Sequence, residues 1–370
     1  MSTTTGLTIP FTGLRKQYHN LRHEILDVTD EVLRSGVLMN GNNTAEFEHW
    51  LSHRNHMPHA VTCHSGTQAL EIIARFCREQ CAIEPPTVLI PSMTYVATAN
   101  AFISAGWNVV FIDTDSHGLL DAKKIPQLTS YQAVVLVGLY GHGLAHYGGI
   151  RTWEKWVHND VMIIEDGAQH WLAANCQRIG MATAVSFDPM KNLACYGNGG
   201  AVITSNRDLA EYARGWRDNG KTTAHQNTGS NSRMSELDCA QLLIKTKHID
   251  QWQKRRSVIA EYWMERLHSA NIRCLIDHHN FHEHALHKFV IEIDHRDQIQ
   301  RRLAERKIET KVHYVRPLHE LDGVFRSFDG PGMLSAASSL SRRCLSLPIY
   351  PELTDLEVEY IIDQLLDLVA

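Results

Sequence analysis

The chain of 370 residues has no apolar run approaching the roughly 20 residues that a membrane-spanning helix needs. It has no excess of basic charge either. Lysine and arginine number 36 against 41 acidic residues, a formal net charge of −5, which leaves no basic footprint for nucleic acid. The opening MSTTTGLTIPF lacks a basic segment followed by an apolar one, so no secretory signal is expected and a cytoplasmic protein is. Cysteine is sparse and scattered. Only Cys77 and Cys81 stand close together, and the eight cysteines are expected to be reduced, mostly buried thiols rather than a disulfide frame. Low-complexity linkers and sequence repeats are missing. What remains is an ordinary globular composition, 44% hydrophobic and 21% charged, long enough for about two domains.

Leu14, Tyr18, Leu21, Ile25, Val28 and Val32 recur at steps of four and three, one face of an amphipathic helix ended by Ser35-Gly36. A second helix is expected near Thr44. Short, nearly all-apolar runs follow at His59 to Cys63, Thr87 to Ile90, Val109 to Asp113, Ala133 to Val137, Val161 to Ile164, Ala184 to Phe187 and Ala201 to Thr204. Helix-length segments separate most of them, among them Gln68 to Gln80, Val96 to Gly106 and the stretch IRTWEKWVHN. This pattern predicts an α/β fold with a mostly parallel sheet covered on both faces. From about Leu237 the character changes. One long helical stretch to Leu267, a strand over Phe289 to Ile293, a helix over Gln298 to Lys307, a strand over Thr310 to Tyr314 and a final helix opened by the capping box Thr354 to Glu357 predict a smaller α+β domain. The expected division is residues 1–245 and 246–370, with the N-terminal helix packing on the second part.

The chemistry concentrates between residues 161 and 204. An apolar run ends in Glu165-Asp166, a second leads to Lys191, and a Gly-rich turn, Gly197 to Gly200, feeds the third. A carboxylate past one buried strand and a lysine past the next suggest a site at the strand ends, where open α/β sheets place ligands. A lysine taken alone is a solvated surface charge, and an acidic pair at a strand end is a turn or helix cap. In a cleft, Lys191 could form a Schiff base with a carbonyl cofactor, and Asp166 could hold a pyridinium nitrogen protonated. Ser65-Gly66-Thr67, between a strand and a helix, is either a simple N-cap or a phosphate-binding helix start. Tyr95 either packs or stacks on a flat ring.

The order of CHSGTQAL, IPSMTYVATANA, FIDTD, LYGHG, EDGAQ, SFDPMKNL, GNGGAVIT, RDNG and NSRM, flanked by IPFTGLRKQY and SGVLMNG at the start and HYVRPLHEL and SLPIYPELTDLEVEYI at the end, resembles the DegT/StrS family of sugar aminotransferases over nearly the whole chain. These are pyridoxal 5'-phosphate (PLP) enzymes of fold type I, the aspartate aminotransferase fold, with a seven-stranded-type sheet. The resemblance implies that Lys191 is the Schiff-base lysine, that Asp166 faces the pyridine nitrogen, that Gln169 lies near the ring hydroxyl, that Tyr95 stacks on the ring and that Gly66, Thr67 and Ser186 contact the phosphate. Asn231 resembles an asparagine that reaches the phosphate in the neighbouring subunit, which implies a homodimer with shared active sites. It further implies ping-pong transfer from L-glutamate to a keto-sugar, nucleotide-linked in the family's manner, with SFDPMKNL leaning toward carbon 3. Arg233, His313, Tyr314 and His319 stand in family-like motifs as candidate pocket residues. His64, Gly167, His170, Tyr196 and Asn198 depart from the commoner pattern and leave the substrate open. Relatives with histidine at the lysine position are sugar dehydratases, and Lys191 argues against that reaction.

Two other readings stand beside this one. A PLP-fold protein could run another lyase or transferase reaction, or serve as a regulatory scaffold. The 23 histidines raise a metal site, at His53, His56 and His59 or at His278, His279, His282, His284 and His287. Without a ligand framework the latter are expected to be a solvated loop, His142 and His146 ordinary loop residues, and no metal is assigned.

Overall fold

The computed structural model describes residues 7–125, 131–143, 160–173, 179–221, 228–276, 281–321 and 334–369. The helix expected over IRTWEKWVHN, together with His146, His278 and His279, lies outside them, as does the side chain of His282.

Seven strands make one sheet: β1 (His59–Cys63), β2 (Thr87–Pro91), β3 (Asn108–Ile112), β4 (Ala133–Val137), β5 (Met162–Asp166), β6 (Ala182–Ser186) and β7 (Gly200–Thr204). Their order is β1-β7-β6-β5-β4-β2-β3. Every pairing is parallel except those of β7, which runs antiparallel to β1 and β6. All five residues of β4, β6 and β7 are buried, as continuous apolar strands covered on both faces require. Helix α1 (Leu14–Ser35) packs on the helix Glu236–Thr246, and among the helices that cover the sheet are α2 (Asn42–Arg54), α3 (Gly66–Glu79) and α4 (Val96–Ser104). Gly36 ends α1 in the left-handed conformation, at φ 68°.

A helix the sequence reading passed over, α5 (Arg207–Arg217), follows β7. The single helix expected from Leu237 to Leu267 is two, α6 (Glu236–Thr246) and α7 (Ile249–Ser269), broken at Lys247-His248. The two serve different cores. Cys239 and Leu242 of α6 pack with Phe47 and Phe187, whereas Ile259, Trp263 and Leu267 of α7 pack with Phe289. Period alone cannot register such a change of direction. Beyond α7, β8 (Arg273–Cys274), β9 (Phe289–Glu292) and β10 (Cys344–Leu347) form a three-stranded antiparallel sheet with β9 in the middle, joined by α8 (Arg296–Glu305), α9 (Ser335–Arg343) and α10 (Asp355–Val369). The strand expected over Thr310 to Tyr314 is reduced to one bridge, Lys311 with Ser346. The chain then leaves the sheet, and the His313 carbonyl accepts from Tyr140 Oη at 2.5 Å. The capping box opens α10: Glu357 Oε2 accepts from the Thr354 amide at 2.9 Å.

The N-terminal segment ties the chain's ends together. Ile9 bridges Ile308 and sits in the core around Trp263, and Lys16 pairs with Glu357 at 2.6 Å. The seven cysteines among the described residues are free. No helix among them is long and apolar enough to cross a membrane.

One buried carboxylate fixes α2 against α6. Glu236 accepts from the amides of Gly41 at 2.8 Å, Asn43 at 2.9 Å and Thr44 at 2.9 Å, and from the Thr44 hydroxyl. Burial by itself would raise its pKa, but the hydrogen bonds from Thr44 and Asn43 win and hold it below the usual glutamate value. Glu236→Ala strands three helix-start amides and should cost about 2–3 kcal/mol in denaturant unfolding. A carboxylate with a lowered pKa contributes its stability above the unfolded-state value of about 4.3 and loses it as pH falls through the lower folded value. The gap between wild type and variant should therefore close below about pH 4.

Candidate active site

The topology sends several chain segments to one edge of the sheet. β1, β2, β5 and β6 end there, and antiparallel β7 begins there, so that Gly200 stands across from both Cys63 and Ser186. A cavity of about 390 Å³ opens at this edge. Its wall includes Gly66 and Thr67 after β1, Tyr95 after β2, Asp166 and Gln169 at the end of β5, Ser186 and Lys191 after β6, and Gly199 before β7. His313 and Tyr314 complete it, so nearly every candidate named from the sequence is brought together. Asn231 is not on this wall. It is exposed and bridges Asp218. Arg233 lies 3.4 Å from Asp218, and His319 Nδ1 lies 2.5 Å from Ser92 Oγ; neither lines the cavity.

The start of α3 is pressed against the sheet. A Cβ on Gly66 would meet Ser186 Cβ at 2.7 Å, and one on Gly200 would meet the Ser65 carbonyl carbon at 2.3 Å. Only glycine fits at either place. Ser65 caps the helix, its hydroxyl accepting from the Gln68 amide at 3.1 Å. The amides of Gly66 and Thr67 precede the first intrahelical bond, from Ala69 to Ser65 O. A helix start with such amides facing a cavity suits a phosphate.

Asp166 is buried and held on both oxygens. Oδ2 accepts from Thr98 Oγ1 at 2.7 Å and Oδ1 from the Ala168 amide at 3.1 Å. Thr98 is one residue the sequence reading missed. It sits one turn from Tyr95 on α4, facing the sheet, a placement that follows only once α4 is docked. Gln169 Oε1 accepts from the Tyr140 amide at 2.9 Å, and its amide nitrogen lies 3.3 Å from Tyr314 Oη. The Tyr95 and Tyr314 rings stand 5.9 Å apart, tilted by 33°. Burial pushes the Tyr314 phenol well up.

Lys191 closes a tight turn, its amide donating to Asp188 O at 2.9 Å. Burial lowers its pKa, with Asp166 and Asp188 pulling the other way. The amine is thus readied for the neutral form a nucleophile or base needs. The next turn is clamped from behind by Lys245 of α6, which donates to Ala194 O at 2.5 Å and lies 3.9 Å from the Tyr196 ring centroid. Burial pushes that ammonium down to about 8.

The histidines expected in a solvated loop are corrected where they are described. His284 and His287 are buried, as is His142, whose ring lies 4.5 Å from that of His284. His287 lines the cavity beside Lys288. The apolar residues Phe281, Ala285 and Leu286 draw this stretch into the cores, a pull that its polar neighbours concealed in the sequence. Among the described residues no group of three or more histidine, cysteine or acidic side chains is placed to hold a metal.

Comparison with known proteins agrees with this geometry. Residues 19–366 match the model of the DegT/DnrJ/EryC1/StrS aminotransferase family. The dTDP-3-amino-3,4,6-trideoxy-alpha-D-glucose transaminase of Streptomyces venezuelae is 32% identical over 96% of this chain and 94% of its own. A protein of Geobacillus stearothermophilus named pleiotropic regulatory protein is 31% identical over 97% and 98%. The crystal structure of S. venezuelae DesV superposes with a TM-score of 0.87 at 30% identity, covering 98% of both chains. A match of this length, on a sheet whose strand ends assemble the expected cavity, means that the chain belongs to the DegT/DnrJ/EryC1/StrS aminotransferase family.

Proposed function

We propose that this PLP-dependent aminotransferase takes an amino group from L-glutamate and delivers it to carbon 3 of a nucleotide-linked keto-sugar, with Lys191 as the residue that carries the reaction. The observation that supports it best is a cavity that joins a half-buried amine of lowered pKa, a doubly hydrogen-bonded carboxylate and a glycine-tight helix start. These residues fit PLP. The amides of Gly66 and Thr67, with Ser186, would hold its phosphate, Tyr95 its ring face, Gln169 its hydroxyl side and Asp166 its ring nitrogen. When bound, PLP supplies the carbonyl that accepts the amino group and the electron sink that makes the donor's α-proton removable. Lys191 then acts as general base toward that proton and as general acid in returning it. Thr98, donating to its Oδ2, keeps Asp166 aimed. The carbon-3 assignment is favoured by the Pro189-Lys191-Asn192 pattern and by the name of the Streptomyces relative, whose amino sugar carries nitrogen on carbon 3.

The same reading divides the chain into a larger part, residues 1–245, and a smaller one, 246–370. It makes the enzyme a cytoplasmic homodimer in which Asn231 reaches the neighbouring site. The regulatory name of the Geobacillus relative favours a second reading, a sensor that keeps the cofactor without turnover.

Addition of PLP should produce a yellow protein whose visible band bleaches with L-glutamate. A band that glutamate leaves unchanged would overturn the donor and favour the sensor. Lys191→Ala should lose the band and turnover together, and appreciable transamination by it would sink the assignment. Gly66→Ala, read by PLP titration, should weaken binding at least about tenfold while melting stays cooperative, because the added methyl meets a strand rather than a flexible tip. Sedimentation should give twice the 42.0 kDa chain mass, and Asn231→Ala should lower PLP affinity without dissociating the pair.

A further inference from the structure

The cavity wall contributed by residues 287–314 carries positive charge that the reading above leaves unused. Lys288, at the entry to β9, is 5% exposed, and it lines the same cavity as Lys191. Its backbone is fixed, the amide donating to Tyr140 O at 3.0 Å. Its ammonium lies 4.9 Å from the Phe11 ring centroid, and that of Lys311 lies 5.2 Å from the same ring. Lys311 has Glu309 Oε1 at 3.8 Å, and Arg256 donates to Ile349 O at 2.5 Å. Among the described residues Lys288 has no such acceptor and no carboxylate within ion-pair distance. Asp188 is an opposite charge that acts on it, more weakly than the cations do, and that carboxylate already accepts from the Met190 amide at 2.9 Å.

A buried cation without an anion is costly, and the neighbouring cations add repulsion. Burial first, then Lys191, Arg256 and Lys311, depress the Lys288 ammonium far below the usual lysine range. That strain is relieved if a ligand brings the anion. A carboxylate is the group that chemistry puts there: an amino acid whose nitrogen reaches Lys191 carries one on the same carbon. We infer that Lys288 is a specificity-determining residue that receives a carboxylate of the substrate reacting at Lys191. The inference rests on the aminotransfer reading. The carboxylate belongs either to the amino donor or to an acidic keto-sugar, and the test separates the two.

Calorimetric titration of the holoenzyme with glutarate, the donor skeleton without its amine, and with glucuronate would be run on wild type, Lys288→Met and Lys288→Arg. Wild type should bind at least one of them. Lys288→Met should bind that ligand about tenfold to hundredfold more weakly, the range for a lost charge-assisted hydrogen bond, and Lys288→Arg should recover most of the loss. A loss confined to glutarate assigns the donor's carboxylate, with KM for L-glutamate rising in step; a loss confined to glucuronate assigns the acceptor's. Equal binding by wild type and Lys288→Met, or binding of neither ligand by wild type, overturns the inference. So does loss of the cofactor's visible band in both variants, which would mark a structural role. Failure of the aminotransfer reading would appear separately, as wild-type holoenzyme that no amino donor bleaches.

Discussion

The approach of the first turn of α3 to the end of β6 and the start of β7 is the constraint on which the site depends. Ser65 and Gly66 lie so near Ser186 and Gly200 that neither glycine has room for a methyl group. That closeness exists because β7 runs antiparallel between β1 and β6, putting Gly200 in register with the last residues of both. The reversal carries the chain from the Lys191 turn straight back into the sheet. It keeps the lysine beside the helix start and one strand away from Asp166. Were β7 parallel, the Gly-rich turn would have to cross to the other edge of the sheet, and lysine and helix start would separate.

Much of this was legible because it is local. Buried parallel strands announce themselves as short apolar runs, and chemistry at strand ends sits immediately after them, so Asp166, Lys191 and Gly66 could be placed by position alone. Tyr95 stood out only as an aromatic at a helix start, and the family resemblance added Gln169 and Ser186, which no local pattern marks. What stayed hidden depended on tertiary contacts. Thr98 reaches Asp166 only because α4 docks against α3 and the β2–β3 side of the sheet. The break at Lys247-His248 follows from two cores lying in different directions. Asn192 looks like any turn residue, yet it donates to Ala285 O at 2.7 Å and Gln253 Oε1 at 3.0 Å, tying the lysine turn to α7 and the stretch before β9.

The histidine-rich stretch shows why composition misleads at such places. Polar density suggested solvent, but Phe281, Ala285 and Leu286 bury their neighbours along with themselves. A few apolar anchors at about 25 cal/mol per Å² can offset the desolvation of a neutral imidazole, though not that of a charged one. His287 accordingly has its pKa driven well below the usual value, by burial first and then by Lys288 and Lys191. His313 is brought to about 3 by burial, with Lys288 next. Both rings are neutral polar wall at any working pH.

These neutral rings bear on how charge is divided in the cavity. Its carboxylates, Asp166 and Asp188, come from the seven-stranded sheet, and Lys191 is attached to the same scaffold. Lys288 comes from the segment that enters the three-stranded sheet, and Lys311 and Arg256 stand close enough behind it to depress its pKa. If His287 and His313 were protonated, they would add to that repulsion; burial favours their neutral form instead. The basic side chains Lys288, Lys311 and Arg256 therefore gather on one side, while both carboxylates of the cavity lie on the sheet side with Lys191. An electroneutral ligand would gain nothing from the difference, whereas one carrying an anionic group next to its reacting carbon would be oriented by it, anion toward β9 and reacting carbon toward Lys191. Orientation of this kind comes before any chemistry and is built from two separate stretches of the chain, 166 to 191 and 256 to 313.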